Sequence, residues 1–246
     1  ANWNDPQPPR AGFGASPSLN GQAAGRATYD MGLRRHMLSI YNYMASGVLL
    51  SGVVALLFAR SGLAAQVMTT PLKWLIILAP LGFVFGMSMG AHRMKTSTLQ
   101  ALFWGFATVM GLSLSTIFLV YTGASIATTF FATAGAFAGL SLVGYTTKKD
   151  LSGMGSFMVM GLIGILIAMV INIFLQSTGL QLAISILGVL IFAGLTAWDT
   201  QRLKQEYAML AGTEFAGKAV VLGALTLYLD FINMFQFLLS FLGNRD

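Results

Sequence analysis

Seven stretches of this chain are apolar for long enough to cross a bilayer, and short polar segments separate them: residues 40–59, 72–91, 99–121, 125–145, 157–175, 180–198 and 219–242. A membrane-spanning helix needs about 20 predominantly apolar residues. A β-barrel would instead alternate apolar and polar positions over segments of about ten residues, so the pattern predicts seven helices. Pro80 inside the second run predicts a kink there. The sixth run continues into an amphipathic stretch, DTQRLKQEYAML. Residues 1–28 are polar and rich in Pro, Gly, Ala and Ser, which predicts a flexible tail ahead of a membrane domain over 29–246.

The last run, AVVLGALTLYLDFINMFQFLLSFL, carries Asp230 near its middle. A carboxylate at that depth costs about 2.5–3.5 kcal/mol, so it faces protein or a water-filled cavity. Helical spacing places Gly223, Thr226, Asp230, Asn233 and Ser240 on one side, with Gln236 close by and Leu, Phe, Val and Met opposite. A helix with such a stripe belongs inside a bundle. Of the remaining acidic residues only Asp199 belongs to an apolar run, on a stripe with Ser185, Gly188 and Thr196. The sixth and seventh helices run antiparallel, so the two stripes can face each other.

Composition narrows the class. The chain is 56% hydrophobic and 9% charged, against roughly 25% charged in soluble domains, and its mean hydropathy is +0.73. This is a polytopic membrane protein. Without cysteine it has no disulfide, thiolate metal site or Cys nucleophile, and His36 and His92 alone leave little for a histidine metal site. No HExxH motif or P-loop is present and no serine reads as a nucleophile with a histidine base, so neither an enzyme nor a resident cofactor is expected. The net charge of +6 reads as topology rather than nucleic-acid binding. Eleven of the fourteen basic residues (Arg10, Arg26, Arg34, Arg35, Arg93, Lys95, Lys148, Lys149, Arg202, Lys204 and Lys218) fall on one side, which predicts a cytoplasmic N-terminus. Seven full crossings then leave the C-terminus outside, whereas a re-entrant last helix would return it. Two glycine ladders, Gly82/Gly86/Gly90 and Gly135/Gly139, are expected to let helix backbones approach closely within the bundle.

Two carboxylates a few ångströms apart in a low dielectric cannot both ionise cheaply and titrate as one unit. Such a pair can share a proton when closed and attract a divalent cation when ionised. Asp199 and Asp230 are therefore the candidate gating pair and candidate Ca²⁺ ligands, with Asn172, Asn233 and Tyr228 as supporting oxygen donors. The plainer alternative for Asp199 is a helix-surface ion pair with Arg202, three residues on. His92 and Arg93 close the second run as interfacial anchors, or supply a cation to one aspartate in a closed state.

LIFAGLTAWDTQRLK (residues 190–204), GALTLYLDFINMFQFLL (223–239) and MGLSLSTIFLVYTG (110–123) resemble the transmembrane Bax-inhibitor-motif family, over about residues 30–243. The likeness is to bacterial members, which implies a multi-pass protein of the bacterial inner (plasma) membrane. It implies seven helices with the last one central, wrapped by two three-helix layers. It also implies a pH-sensitive calcium leak governed by an aspartate pair, mapping to Asp199 and Asp230, with Arg93 as the latch. Relatives are linked to a membrane-anchored AAA protease. The alternative function is thus a non-enzymatic scaffold or regulator, binding such a protease or another membrane complex through the N-terminal tail or residues 206–218.

Overall fold

The computed structural model describes residues 19–244 and is helical from end to end: α1 (Leu19–Arg60), α2 (Leu63–Met68), α3 (Leu72–Gly90), α4 (Thr96–Leu114), α5 (Ile117–Val120), α6 (Gly123–Thr146), α7 (Ser152–Leu175), α8 (Thr178–Leu210) and α9 (Ala216–Leu242). Among the described residues seven helices are long and apolar enough to cross a membrane, with α4 and α5 together making the third. Large apolar side chains cover the outside of α3 and α7, including Trp74, Leu75, Phe85, Met160, Ile167 and Phe174. Such a face is stable against hydrocarbon and not against water.

Two boundaries differ from the hydropathy pattern. Residues 1–18 of the expected tail lie outside the described residues, and residues 19–28 are the start of α1, not a separate segment. The last helix starts at Ala216, three residues ahead of its apolar run, while the amphipathic continuation of the sixth run is helix as its pattern predicts. α8 continues to Leu210, and only 211–215 turn the chain, with Gly212 at φ 78°. Glycine takes that left-handed conformation without a Cβ penalty.

The third run breaks after Leu114. Ser115 Oγ donates to the Leu112 carbonyl (2.6 Å) and Thr116 Oγ1 to that of Ser113 (3.2 Å). These hydroxyls compete with the helical ladder. At the other end of the bundle, the loop before α7 is held by Asp150. Its Oδ1 accepts from the Ser152 hydroxyl (2.6 Å) and the Ser152 N–H (2.9 Å), which holds the Asp150 carboxyl below the usual carboxylate range.

α3 runs unbroken through Pro80. Proline has no N–H, so the carbonyl four residues back, Ile76, loses its helical donor. Ser113 Oγ on α4 donates to it at 2.7 Å. In lipid an unmet carbonyl is costly, and a neighbouring hydroxyl is the usual repair. Ser113→Ala is expected to lower stability by about 1 kcal/mol, read as an earlier unfolding midpoint in a denaturing-detergent titration. An unchanged midpoint would mean that the Ile76 carbonyl finds another donor.

α9 is the core. In its most apolar stretch 61% of residues are buried, against 39% for α8 and 6% for α7. It packs on α8, α1, α6 and α4. The first three spans hold together through α4, which meets both α1 and α3, and the next three through α8, which meets both α6 and α7. α9 begins beside His92 and Thr96, whose partners are Phe215 and Gly217. It ends where Asn244 exchanges bonds with Thr122 (3.1 Å) and Ser125 (2.8 Å) at the start of α6. It therefore runs the whole length of α4 and α5 and is a full crossing, not a re-entrant hairpin.

The glycine ladders do not do what their spacing predicts. Gly82, Gly86, Gly135 and Gly139 face open space, and Gly90 meets only Met94 of the adjoining turn. Close approach occurs elsewhere. A Cβ on Gly144 would lie 2.1 Å from the Ala197 carbonyl oxygen, and one on Gly111 would lie 2.7 Å from that of Ser51. Small residues permit approach, but the face that is buried is chosen by the large side chains around them.

Candidate functional site

The short 211–215 turn makes α8 and α9 antiparallel neighbours, and their small residues set the register. Leu203 presses on Gly223, Phe237 covers Gly188, and Ser185 Oγ donates to Ser240 Oγ at 3.1 Å. Between these contacts Asp199 and Asp230 meet. Both are buried, at 5% and 4% exposure, and their carboxyl groups lie within hydrogen-bonding reach. A hydrogen bond between two carboxyls requires a proton on one of them, because a carboxylate only accepts.

The cation beside the pair is Arg202. Its Nη2 is 2.7 Å from Asp199 Oδ1, its Nε is 3.6 Å from Glu206 Oε1, and its guanidinium lies 5.0 Å from the centre of the Trp198 ring. The Asp199 contact is Coulombic rather than a directed hydrogen bond. Asp199 Oδ1, Arg202 Nε and Asp230 Oδ2 are all buried without a hydrogen-bond partner among the described residues. The Arg202 side chain is 39% exposed, so it links the buried pair to the outside.

Arg93 is elsewhere. It lines a cavity of about 540 Å³ with His92, Glu214, Phe215 and Lys218. Phe215 lies roughly 22 Å along α9 from Asp230 at 1.5 Å per residue. Arg93 is thus out of reach of the pair, and the cation beside Asp199 is Arg202, in the ion pair that three-residue spacing on one helix already allowed.

The supporting donors separate as well. Tyr228 is fully buried on the opposite face of α9, where its hydroxyl meets Ser51 Oγ (2.6 Å) and its ring packs on Phe106 (5.0 Å). Asn172 closes the α7–α8 turn, accepting from Ser177 N–H (3.0 Å) and donating to Gln181 (3.2 Å). Gln181 is roughly 27 Å along α8 from Asp199. Only Asn233 is near the pair, one turn beyond Asp230, with its amide donating to the Leu229 carbonyl (2.7 Å). Asn233 and Gln236 line two cavities, of about 230 and 580 Å³, on the side toward the end of α9. Among the described residues no three His, Cys, Asp or Glu side chains converge, so the pair is the anionic centre of this region.

The AWDTQ segment (residues 197–201) folds into contacts that hold Asp199 in place. Trp198 lies against Gly155, where a Cβ would sit 2.1 Å from its ring. Thr200 Oγ1 and Ser141 Oγ are 2.9 Å apart, and Ser141 in turn bonds the Tyr41 hydroxyl. Gln201 clamps the preceding loop, donating to the Lys149 carbonyl (2.8 Å) and accepting from the Leu151 N–H (2.8 Å). Reasoning from sequence missed Tyr41, Ser141, Thr200 and Gln201. A hydroxyl on an apolar helix more often bonds its own backbone, and nothing in the local pattern separates the two cases.

A family model described as inhibitor of apoptosis-promoting Bax1 matches residues 33–246. The chain is 44% identical to the inner membrane protein YbhL of Escherichia coli over 218 residues, covering 87% of this chain and 93% of that one. It is 47% identical to a protein of Rickettsia prowazekii over 219 residues, covering 89% and 93%. A protein of Caulobacter vibrioides is 48% identical over 232 residues, covering 88% and 92%.

Proposed function

The chain belongs to the Bax1-I family of membrane proteins, and on that premise we propose that it is a pH-sensitive, calcium-permeable leak pathway gated by the Asp199–Asp230 pair. The observation that carries the reading is the contact of two buried carboxyls between α8 and the central helix α9. With one proton on the pair, the hydrogen bond ties α8 to α9 and the path is closed. When that proton leaves, two carboxylates face each other at hydrogen-bond distance in a low dielectric, and their repulsion is relieved by separation or by a cation. Arg202 already neutralises Asp199. Asp230, whose nearest basic residue on α9 is Lys218, twelve positions away, is the ligand for a hard divalent ion, which takes oxygen donors.

Asn233, one turn beyond Asp230, lines cavities on one side of the pair, and Arg202, whose side chain is 39% exposed, stands on the other. The excess of basic residues on one side supports a cytoplasmic N-terminal end, and in that orientation the Asn233 side faces outward. The inner-membrane assignment of YbhL supports the same location in a bacterial cell. The reading is that of a transport protein rather than an enzyme.

The proton count sets the sign. Raising pH removes the shared proton, so calcium flux rises with pH. The check is calcium entry into dye-loaded proteoliposomes of the full chain as pH is stepped from acidic to mildly basic. Flux that is flat across the series, or that equals protein-free vesicles throughout, would sink the reading.

A further inference from the structure

A groove of about 520 Å³ runs down the outside of the bundle between α1 and α6. These two helices scarcely pack on each other, and the Tyr41–Ser141 hydroxyl contact bridges them at the groove floor. Below the mouth the walls are apolar, with Met44 and Phe137 among them, and no acidic residue lines it. Arg34 stands at the mouth, exposed, with no carboxylate partner among the described residues. Tyr145, which also lines the groove, holds Lys204, whose ammonium donates to the Tyr145 carbonyl (2.7 Å) and lies over its ring. The groove extends from Arg34 to Ala45 on α1, roughly 16 Å at 1.5 Å per residue. That is about the depth of one leaflet, half of a hydrocarbon core about 30 Å thick.

We propose that this groove is a binding site for one anionic phospholipid, its acyl chain lying along the α1–α6 trough and its headgroup phosphate meeting Arg34. A cation at headgroup level above a leaflet-deep apolar trough complements a lipid of negative charge. A soluble anion would leave the trough unfilled, and a protein helix, at about 10 Å across, is wider than a single acyl chain. The site also lies one contact away from the buried carboxyls. The Phe137 ring meets that of Phe231, next to Asp230, at 5.6 Å, and Ser141 bonds Thr200, next to Asp199.

The test reads lipid retention and not flux, so it stands or falls separately from the calcium reading. The full chain is reconstituted in vesicles of equal phosphatidylglycerol and phosphatidylcholine, extracted in mild detergent, and its bound lipids are counted by native mass spectrometry. The parent is expected to retain one phosphatidylglycerol. Ala138→Trp, which fills the trough, is expected to lose it, and Ala136→Trp, off the groove on the same helix, to keep it. If Ala138→Trp fails to fold, Ala45→Trp fills the same trough from α1. Arg34→Gln is expected to cut the preference for phosphatidylglycerol about fivefold, the contribution of one basic residue at an anionic surface, and Arg34→Lys to restore it. A parent that holds no lipid or both equally, equal retention by the two α6 variants, or an unchanged preference in Arg34→Gln would each overturn the proposal.

Discussion

Asp230→Asn is expected to abolish the pH dependence of calcium flux. Asparagine keeps the shape of the side chain, and its amide N–H₂ can donate to Asp199 without any shared proton. The α8–α9 contact then holds at every pH, and flux stays at the low value the parent shows in acid. At mildly basic pH the loss relative to the parent should be at least about tenfold, equivalent to about 1.4 kcal/mol of differential stabilisation. Asp199→Asn should also flatten the profile, but it releases Arg202, whose nearest carboxylate is Asp199 at 2.7 Å. The freed guanidinium becomes available to Asp230, so the two variants should settle at different flux levels. Proteoliposome flux across a pH series separates these outcomes. An Asp230→Asn protein whose flux still climbs with pH would show that the sensor lies elsewhere.

Gly144→Ala is expected to be among the most destabilising single-methyl additions in the bundle. The added Cβ would stand 2.1 Å from the Ala197 carbonyl oxygen and 2.9 Å from its carbonyl carbon. Those are backbone atoms, so no rotamer change relieves the overlap and α6 must move away from α8. Overpacking of this kind costs about 1–3 kcal/mol, and contact with backbone puts it near the upper end. The Ser141–Thr200 bond one turn away would be strained by the same displacement. Gly139→Ala, five residues earlier on α6 and facing open space, should change stability by less than about 0.5 kcal/mol. Unfolding midpoints in a denaturing detergent give the comparison. Equal midpoints for the two variants would falsify the tight α6–α8 crossing.

The glycines show what pattern can and cannot say. Gly82, Gly86, Gly135 and Gly139 have the spacing of a packing ladder and face outward, while Gly144 and Gly155, with no such spacing between them, carry the close contacts. The polar residues divide in the same way. Asn233 shares the face of Asp230, whereas Tyr228, two residues before it, turns to α1 and α4 because successive side chains on a helix diverge by about 100°. Arg93, the latch that the resemblance implies, lies out of reach of the pair, and Arg202 is the cation there because a three-residue step on α8 keeps it beside Asp199.

The amino-acid sequence by itself determined the seven crossings, their extents to within a few residues in most cases, the buried character of the last helix and the two aspartates worth watching. Each of these follows from a cost borne locally: a bilayer of set thickness demands apolar length, and a carboxylate inside it is expensive wherever it sits. Only the tertiary structure decided that α9 crosses completely, that Arg202 is the cation at the pair, and that Tyr41, Ser141 and Thr200 tie three helices together beside it. Those facts depend on how helices are rotated and staggered against one another. Rotation and stagger are set by the summed packing of many residues distant in the chain, so no local pattern carries them.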